Sequence, residues 1–220
     1  MSTTADQNNL TRTLKDGAAN LGLSLSDAQV SRLMAYQALL AKWNKVYNLT
    51  ALRDPAQMVT HHLLDSLSAV QAFAGARRVL DVGAGGGLPG IVLAIWAAEA
   101  EPQMSITLVD TVQKKTAFLN QVKAELQLGN VTVLHARVEQ LPVEQQYDVI
   151  TSRAFAELND FIDWSNHLLQ QGGKYIALKG VMPQQEIDRL PPGWKVRQVQ
   201  PLQVPGLDAE RHLIFMERTP

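Results

Sequence analysis

The chain has 220 residues, 46% of them hydrophobic, which is enough for one α/β core with a helical extension and too little for two full domains. It contains no cysteine, so disulfide bonds, thiolate metal sites and cysteine nucleophiles are excluded. The 20 basic and 21 acidic residues give a net charge of −1, which argues against a protein that holds naked nucleic acid by charge alone.

The N-terminal third of the sequence has the periodicity of helices. Residues Met1–Asn9 are polar and lack the apolar stretch of a signal peptide. Ser26 with Gln29 forms a capping box ahead of one amphipathic run, and Asp54-Pro55 has the features of a second helix start. We therefore predict a helical layer over residues 1–75.

From residue 76 onward, apolar runs of strand length alternate with amphipathic stretches, which predicts one α/β domain over residues 76–220. Its predicted strands are Arg78–Val82, Ile106–Val109, Val131–His135, Tyr147–Thr151, Lys174–Leu178, Trp194–Val199 and His212–Glu217. Its predicted helices are Pro89–Ala98, Val112–Leu126, Leu158–Gln170 and Gln184–Leu190. We expect a Rossmann-like, mostly parallel seven-stranded sheet with an antiparallel hairpin at one edge and an N-terminal helical extension.

The turn after the first predicted strand is rich in glycine and reads Asp81-Val82-Gly83-Ala84-Gly85-Gly86-Gly87-Leu88-Pro89-Gly90. In an open α/β sheet this turn lies at the carboxyl edge, where ligands bind, and glycines let a ligand approach the backbone. Two fingerprints overlap here. Gly85, Gly87 and Gly90 fit the G-x-G-x-x-G of dinucleotide enzymes, and the positions from Asp81 to Gly87 fit the D-x-G-x-G-x-G of S-adenosylmethionine enzymes.

The second fingerprint suits the position of the turn better. It begins where the strand ends, and the carboxylate of Asp81 suits a ligand with an ammonium and a sulfonium but would repel a pyrophosphate. Acidic residues also follow two later strands. Asp110 can accept hydrogen bonds from the ribose hydroxyls, and Glu139, beside Val138, lies where the adenine edge is expected. We therefore expect S-adenosylmethionine as the cofactor and a class I methyltransferase fold, with a nicotinamide-dependent oxidoreductase as an alternative.

The residues that the chain lacks limit the kinds of methyl acceptor that it can use. Methylation of pyrimidine carbon-5 by covalent activation needs a cysteine, and the Asn/Asp-Pro-Pro-aromatic clamp common in amine methylation is replaced by Thr151-Ser152-Arg153-Ala154-Phe155-Ala156. Guanine N7 has a free lone pair and needs no general base. Arg153 is the candidate catalytic residue; it can hold the cofactor, guanine O6 or a phosphate, or form a surface salt bridge. Phe155 can stack on a base or pack in the core.

Seven segments in a specific order carry a resemblance to a known family. They are Asn44–Thr50, His62–Leu67, Asp81–Gly90, Asp110–Leu119, Arg137–Glu139, Ser152–Ala156 and Ala177–Gly180. From about Ser24 to Arg218 the chain resembles the bacterial ribosomal small-subunit methyltransferase G family, also called glucose-inhibited division protein B.

The resemblance implies guanine-N7 methylation in the functional loop of 16S ribosomal RNA in the small subunit, with S-adenosylmethionine as the methyl donor. It places cofactor contacts on Gly83, Leu88, Val138, Glu139 and Arg153. Val138 is a departure, since this position is often alanine in the family, but a contact through the backbone would tolerate the change. A methyltransferase with a small-molecule acceptor and a non-catalytic RNA-binding module are the remaining alternatives.

Basic residues before and within the predicted α/β domain, which include Lys42 and Arg211, suggest a rim that contacts phosphates. We predict RNA contacts at Lys45, Arg53, His62, Lys114, Lys115 and Lys179. The alternative is that these basic residues are only solvent-exposed surface groups whose charge is balanced by Asp54 and Asp65.

The pair His61-His62 lacks metal-ligand spacing, so we assign no metal. The longest apolar run, 88–98, is too short to cross a bilayer, and we expect a cytoplasmic monomer with no membrane partner.

Overall fold

A seven-stranded sheet organises the fold, and the computed structural model describes it for residues 4–219. Residues 1–3 and 220, the outer ends of the two predicted units, lie outside this description. The strands are β1 (Arg78–Val82), β2 (Ser105–Asp110), β3 (Val131–His135), β4 (Tyr147–Arg153), β5 (Leu169–Lys179), β6 (Trp194–Pro201) and β7 (His212–Arg218). Their order is β3-β2-β1-β4-β5-β7-β6; β7 runs antiparallel to both neighbours and the other pairs are parallel. The predicted fold class is confirmed.

The N-terminal layer begins with α1 (Thr4–Asn20) and α2 (Asp27–Tyr47). The predicted capping box starts α2: the N–H of Gln29 donates to Ser26 Oγ at 3.1 Å, and the N–H of Ser26 donates to Gln29 Oε1 at 2.9 Å. Both of these N–H groups would otherwise lack a partner in the first helical turn. The sequence rule therefore identified a real helix start.

The second predicted helix start is also present but leads into an irregular helix. Asp54 caps α3 (Pro55–Met58), which continues as a π-helix (Val59–Leu64) and then α4 (Asp65–Leu67). The four-residue spacing of apolar side chains here does not distinguish an α-helical from a π-helical turn. A 3₁₀ turn (Val70–Phe73) then connects the layer to β1.

The remaining helices cover the two faces of the sheet. They are α5 (Gly90–Ala100), α6 (Gln113–Glu125), α7 (Leu158–Ser165) and the short α8 (Gln184–Ile187). α5 is apolar on all sides because it packs between β2 and the N-terminal helices α2 and α4. No helix within residues 4–219 is both long and apolar enough to cross a membrane.

The largest error in a predicted helix end concerns the helix after β4. We predicted a helix to Gln170, but α7 ends at Ser165 and β5 begins at Leu169. Leu168 and Leu169 are buried, and Leu169 pairs with Tyr147 of β4. Pairing with a strand distant in sequence therefore overrides the local helical pattern.

Alternate strand residues form two apolar clusters, one on each face of the sheet. Val79 and Ile106 join the cluster that also contains Tyr36 and Phe73 of the N-terminal layer. Leu80 and Ile150 join the cluster under α7. The N-terminal helices thus pack into the same core as α5 and α6. This packing places the end residues of the N-terminal helices beside the carboxyl edge of the sheet. The division at residue 75 stays a prediction.

Candidate active site

The glycine-rich turn after β1 bends tightly at the carboxyl edge of the parallel strands. Gly83, Gly85 and Gly87 have φ angles of +68°, +56° and +93°, in the left-handed region that residues with a Cβ rarely adopt. At Gly83 an added Cβ would also lie 2.2 Å from Cδ2 of Phe155. Gly90 begins α5, where an added Cβ would lie 2.2 Å from Cδ2 of Leu108, so this glycine is compatible with both patterns. Gly83 belongs only to the D-x-G-x-G-x-G pattern, and its need for glycine favours that pattern.

Two adjoining cavities flank this bend. The first has a volume of about 480 Å³ and the second about 350 Å³, both within the range of small-molecule sites. Gly83, Lys115 and Ala154 line both cavities, so the two meet at the bend. A ligand lying in one cavity could therefore present a group to a ligand lying in the other.

The second cavity lies over the ends of β2 and β3 and has Asp110 at its base. Asp110 accepts hydrogen bonds from the N–H of Val112 at 2.8 Å and the N–H of Gly85 at 2.9 Å, and Lys115 Nζ lies 3.6 Å from its Oδ2. These contacts hold the carboxylate in place beside the glycine bend. Because a carboxylate has about four acceptor sites, Asp110 can still accept hydroxyl groups from a ligand.

The opposite walls of the second cavity are acidic and aromatic. Val138 and Glu139, in the 3₁₀ turn after β3, line one wall, and their contact with an adenine edge stays a prediction. Phe155 and Trp164 line another, with their rings edge-on at 5.7 Å between centroids. Phe155 also packs edge-on against buried Phe161, so it is part of the core as well as of the cavity wall. The cavity thus combines hydrogen-bond acceptors with apolar faces, as a nucleoside site requires.

Asp81 does not face either cavity. We predicted that its carboxylate points toward the ligand, but the side chain is fully buried beneath the bend, where Oδ2 accepts the N–H of Gly90 at 2.9 Å. Within residues 4–219, Oδ1 has no hydrogen-bond partner. Burial raises the pKa of Asp81 to about 7. Asp81 therefore supports the start of α5 rather than lining the site.

This pKa predicts a pH dependence of stability. Since the pKa is higher in the folded than in the unfolded chain, the native state binds the extra proton, and stability falls as the pH rises from about 4 to 7. Asp81→Asn removes this titration. Between pH 5 and pH 8, the free energy of unfolding of the wild type should fall by about 2 to 3 kcal/mol relative to Asp81→Asn, measured by urea unfolding. An equal difference between the two proteins at both pH values would contradict the assignment.

The first cavity is lined by ionic groups from distant parts of the chain. Asp65 of α4 binds Arg153 Nη1 through Oδ2 and Arg211 Nε through Oδ1, both at 2.7 Å. Lys179 at the end of β5 donates to Glu186 at 2.7 Å and to the carbonyl of Ala156 at 3.0 Å. Arg153 is therefore in an ion pair, as one alternative proposed, but the pair lies in a cavity wall rather than on the open surface.

Apolar side chains complete the first cavity. Leu40 and Leu49 from the N-terminal layer and Leu88 from the bend line it, together with Gly85. Gly87 is part of the bend but lines neither cavity, and an added Cβ there would lie 2.6 Å from Cγ1 of Ile91. The first cavity therefore needs the N-terminal helices as well as the sheet edge.

The predicted RNA contacts fall into three groups. Lys45, Arg53 and Lys114 are exposed, while Lys115 and Lys179 are half-buried in the wall of the first cavity. His62 is different: it is buried, lies 2.8 Å from Thr50 Oγ1 through Nε2, and burial lowers its pKa to about 4. The structure therefore places it inside the N-terminal layer, behind Arg153, whose Nη2 lies 3.5 Å from His62 Nδ1.

Sequence analysis missed the roles of two lining residues: Asp65 was assigned only to charge balance, and Trp164 was not considered. Arg211 was included in the phosphate-contacting rim but not among the six predicted RNA contacts. Arg211 directly precedes a predicted strand, which is a weak signal for a site at the sheet edge. Trp164 carries no local signal, because a tryptophan on an amphipathic helix more often belongs to the core.

Comparisons with known proteins agree with this geometry. The sequence model of the GidB family, described as rRNA small subunit methyltransferase G, matches residues 29–214. Ribosomal RNA small subunit methyltransferase G of Herminiimonas arsenicoxydans is 69% identical over 97% of this chain and 98% of its own length. The corresponding protein of Aromatoleum aromaticum is 53% identical over 94% of this chain and 98% of its own length.

Solved structures support the fold. TrmN from Thermus thermophilus aligns with a TM-score of 0.55 and 17% identity, over 100% of this chain and 80% of its own. A SAM-dependent methyltransferase from Thiobacillus denitrificans, in complex with S-adenosyl-L-homocysteine, aligns with a TM-score of 0.51 and 13% identity, over 82% of this chain and 97% of its own. At such identities the likeness establishes the class I methyltransferase fold, whereas the match to the sequence model establishes the family. The chain therefore belongs to the rRNA small subunit methyltransferase G family.

Proposed function

We propose that this protein transfers a methyl group from S-adenosylmethionine to N7 of a guanine in 16S ribosomal RNA of the small subunit. The observation that carries the proposal is the meeting of two cavities at a glycine bend, one suited to a nucleoside and one lined by arginines and lysines. Close relatives named as ribosomal RNA small subunit methyltransferases support the choice of RNA over a small-molecule acceptor.

The residues of the second cavity fit S-adenosylmethionine. Asp110 would accept the ribose hydroxyls, Val138 and Glu139 would bind the adenine edge, and Phe155 and Trp164 would cover its face. Gly83 lines both cavities and would let the methionine portion pass toward the first cavity. When bound, the cofactor supplies an electrophilic methyl group on sulfur.

The first cavity would hold the acceptor guanine. Leu40 and Leu49 offer apolar faces for a base, and Arg153 offers donors for O6 while leaving N7 free. N7 attacks through its own lone pair and has no proton to lose, so the site needs alignment and exclusion of water rather than a general base. In agreement with this, the carboxylate of Asp65 is already engaged by two arginines.

Because its net charge is near zero, the chain would recognise an RNA of defined three-dimensional shape rather than RNA in general. Exposed Lys45, Arg53 and Lys114 are near lining residues of the first cavity in the sequence and can contact phosphates. Because the net charge of the chain is −1, its docking would depend on these local basic residues and on the shape of an assembled ribosomal particle. We infer that the protein acts as a monomer in the cytoplasm, with residues 1–75 as a helical layer that closes one side of the acceptor cavity.

The direct test is methyl transfer from labelled S-adenosylmethionine into small ribosomal subunits purified from cells that lack the gene. Methylated positions are mapped by borohydride and aniline cleavage, which is specific for N7-methylguanine. One new cleavage site in 16S RNA is expected, with a weaker signal on a free RNA hairpin. Equal activity on the hairpin and on the subunit would contradict the proposal that the assembled particle contributes to recognition. No labelling of RNA, or tight binding of a nicotinamide cofactor in calorimetry, would refute the function.

A further inference from the structure

We propose that Asp65 is a positioning residue for the acceptor nucleotide, which it orients through Arg153 and Arg211. This inference rests on the proposed function, because it assigns the first cavity to the acceptor. It gives the N-terminal layer a direct part in methyl transfer, beyond its part in the core.

The geometry brings three distant segments to one point. Asp65 follows the π-helix directly, Arg153 ends β4 and Arg211 precedes β7. Each carboxylate oxygen of Asp65 binds one guanidinium at 2.7 Å. The side chain of Asp65 is 4% exposed, against 21% for Arg153 and 24% for Arg211, so the carboxylate lies behind the two arginines in the wall of the cavity.

Electrostatics make this arrangement depend on Asp65. Both guanidinium groups are always charged, and side by side in a half-buried wall they would repel one another without a shared counter-ion. With Asp65 the three groups carry a net charge of +1. The carboxylate therefore decides whether Arg153 and Arg211 can occupy the same wall.

The contacts leave donors free for a ligand. Among the described residues, neither Nε of Arg153 nor Nη2 of Arg211 has an acceptor. Guanidinium N–H groups bind the carbonyl and phosphate oxygens of nucleotides. Held by Asp65, these donors would fix the nucleotide relative to the glycine bend, and an error of about 1 Å in such an alignment can cost about 100-fold in rate.

The test uses the full-length chain with Asp65→Asn, which keeps the shape of the side chain and removes its charge. At saturating cofactor, kcat for small subunits is expected to fall about 10- to 100-fold, while the Kd of S-adenosylhomocysteine stays within about threefold. Asp65→Glu, which restores the charge, should recover part of the rate. Because Asp65 acts through both arginines, Asp65→Asn combined with Arg211→Ala should lose less rate than the product of the two single losses.

Asp148 provides a matched control at the opposite end of the strands. Its two oxygens accept the N–H groups of Arg77 and Arg78 at 2.7 and 2.8 Å, remote from both cavities. Asp148→Asn should lower Tm with kcat within about twofold of wild type. An Asp65→Asn protein with wild-type kcat, or losses that multiply in the double variant, would overturn the inference. A wild-type protein inactive on subunits would instead refute the proposed function.

Discussion

Replacing Arg153 with alanine is expected to lower kcat for methyl transfer to small subunits about 10²- to 10³-fold. Arg153 lines the first cavity, where the proposed acceptor guanine lies, and it does not line the cavity that contains Asp110 and Glu139. The affinity for S-adenosylhomocysteine should therefore fall by no more than about tenfold. Steady-state kinetics and calorimetry on the same preparation measure the two effects.

The fold is expected to survive this change. Without Arg153, Asp65 still binds Arg211 at 2.7 Å, so no buried carboxylate is left without a partner. Arg153→Lys is the matched variant, since it keeps the charge but loses the planar fork, and its activity should be intermediate. A loss of cofactor affinity as large as the loss of rate would show instead that Arg153 serves only the cofactor, which the family resemblance alone would permit.

Replacing Gly83 with alanine is expected to weaken S-adenosylhomocysteine binding at least about 100-fold and to destabilise the fold by about 1–3 kcal/mol. The φ angle of +68° is unfavourable for alanine, and the new Cβ would lie 2.2 Å from the ring of Phe155. Displacement of that ring would close the junction between the two cavities. Calorimetry and urea unfolding measure the two losses.

Gly22 offers a control for backbone strain alone. Its φ angle is +73°, close to that of Gly83, but an added Cβ would meet nothing within 4 Å. Gly22→Ala should therefore cost about 1 kcal/mol of stability and leave cofactor affinity unchanged. If Gly83→Ala bound S-adenosylhomocysteine as tightly as Gly22→Ala, the cofactor would not pass this bend.

Local rules predicted the layers of the fold well. Strands β1 and β3 have the predicted bounds, and the capping box at Ser26 and Gln29 starts a helix as expected. The rules were wrong where distant segments meet, as at the end of α7, and they did not reveal the π-helix before Asp65. Such features depend on packing between elements, which no window of sequence contains.

The candidate site divides in the same way. Its glycine bend and the acids at the ends of β2 and β3 could be predicted, because glycine spacing and strand ends fix where the backbone can approach a ligand. The direction of individual side chains could not. Asp81 turns down to the N–H of Gly90, and His62 turns into the N-terminal layer, because each finds its partners in the folded chain.

By itself, then, the sequence determined the order of elements, the position of the cofactor loop and the absence of cysteine chemistry. Only the tertiary structure decided that Asp65 joins Arg153, 88 residues away, and Arg211, 146 residues away, in the wall of one cavity. The reason is physical: periodicity and turn chemistry act between near neighbours in the chain, whereas ion pairs in a half-buried wall depend on how the layers pack.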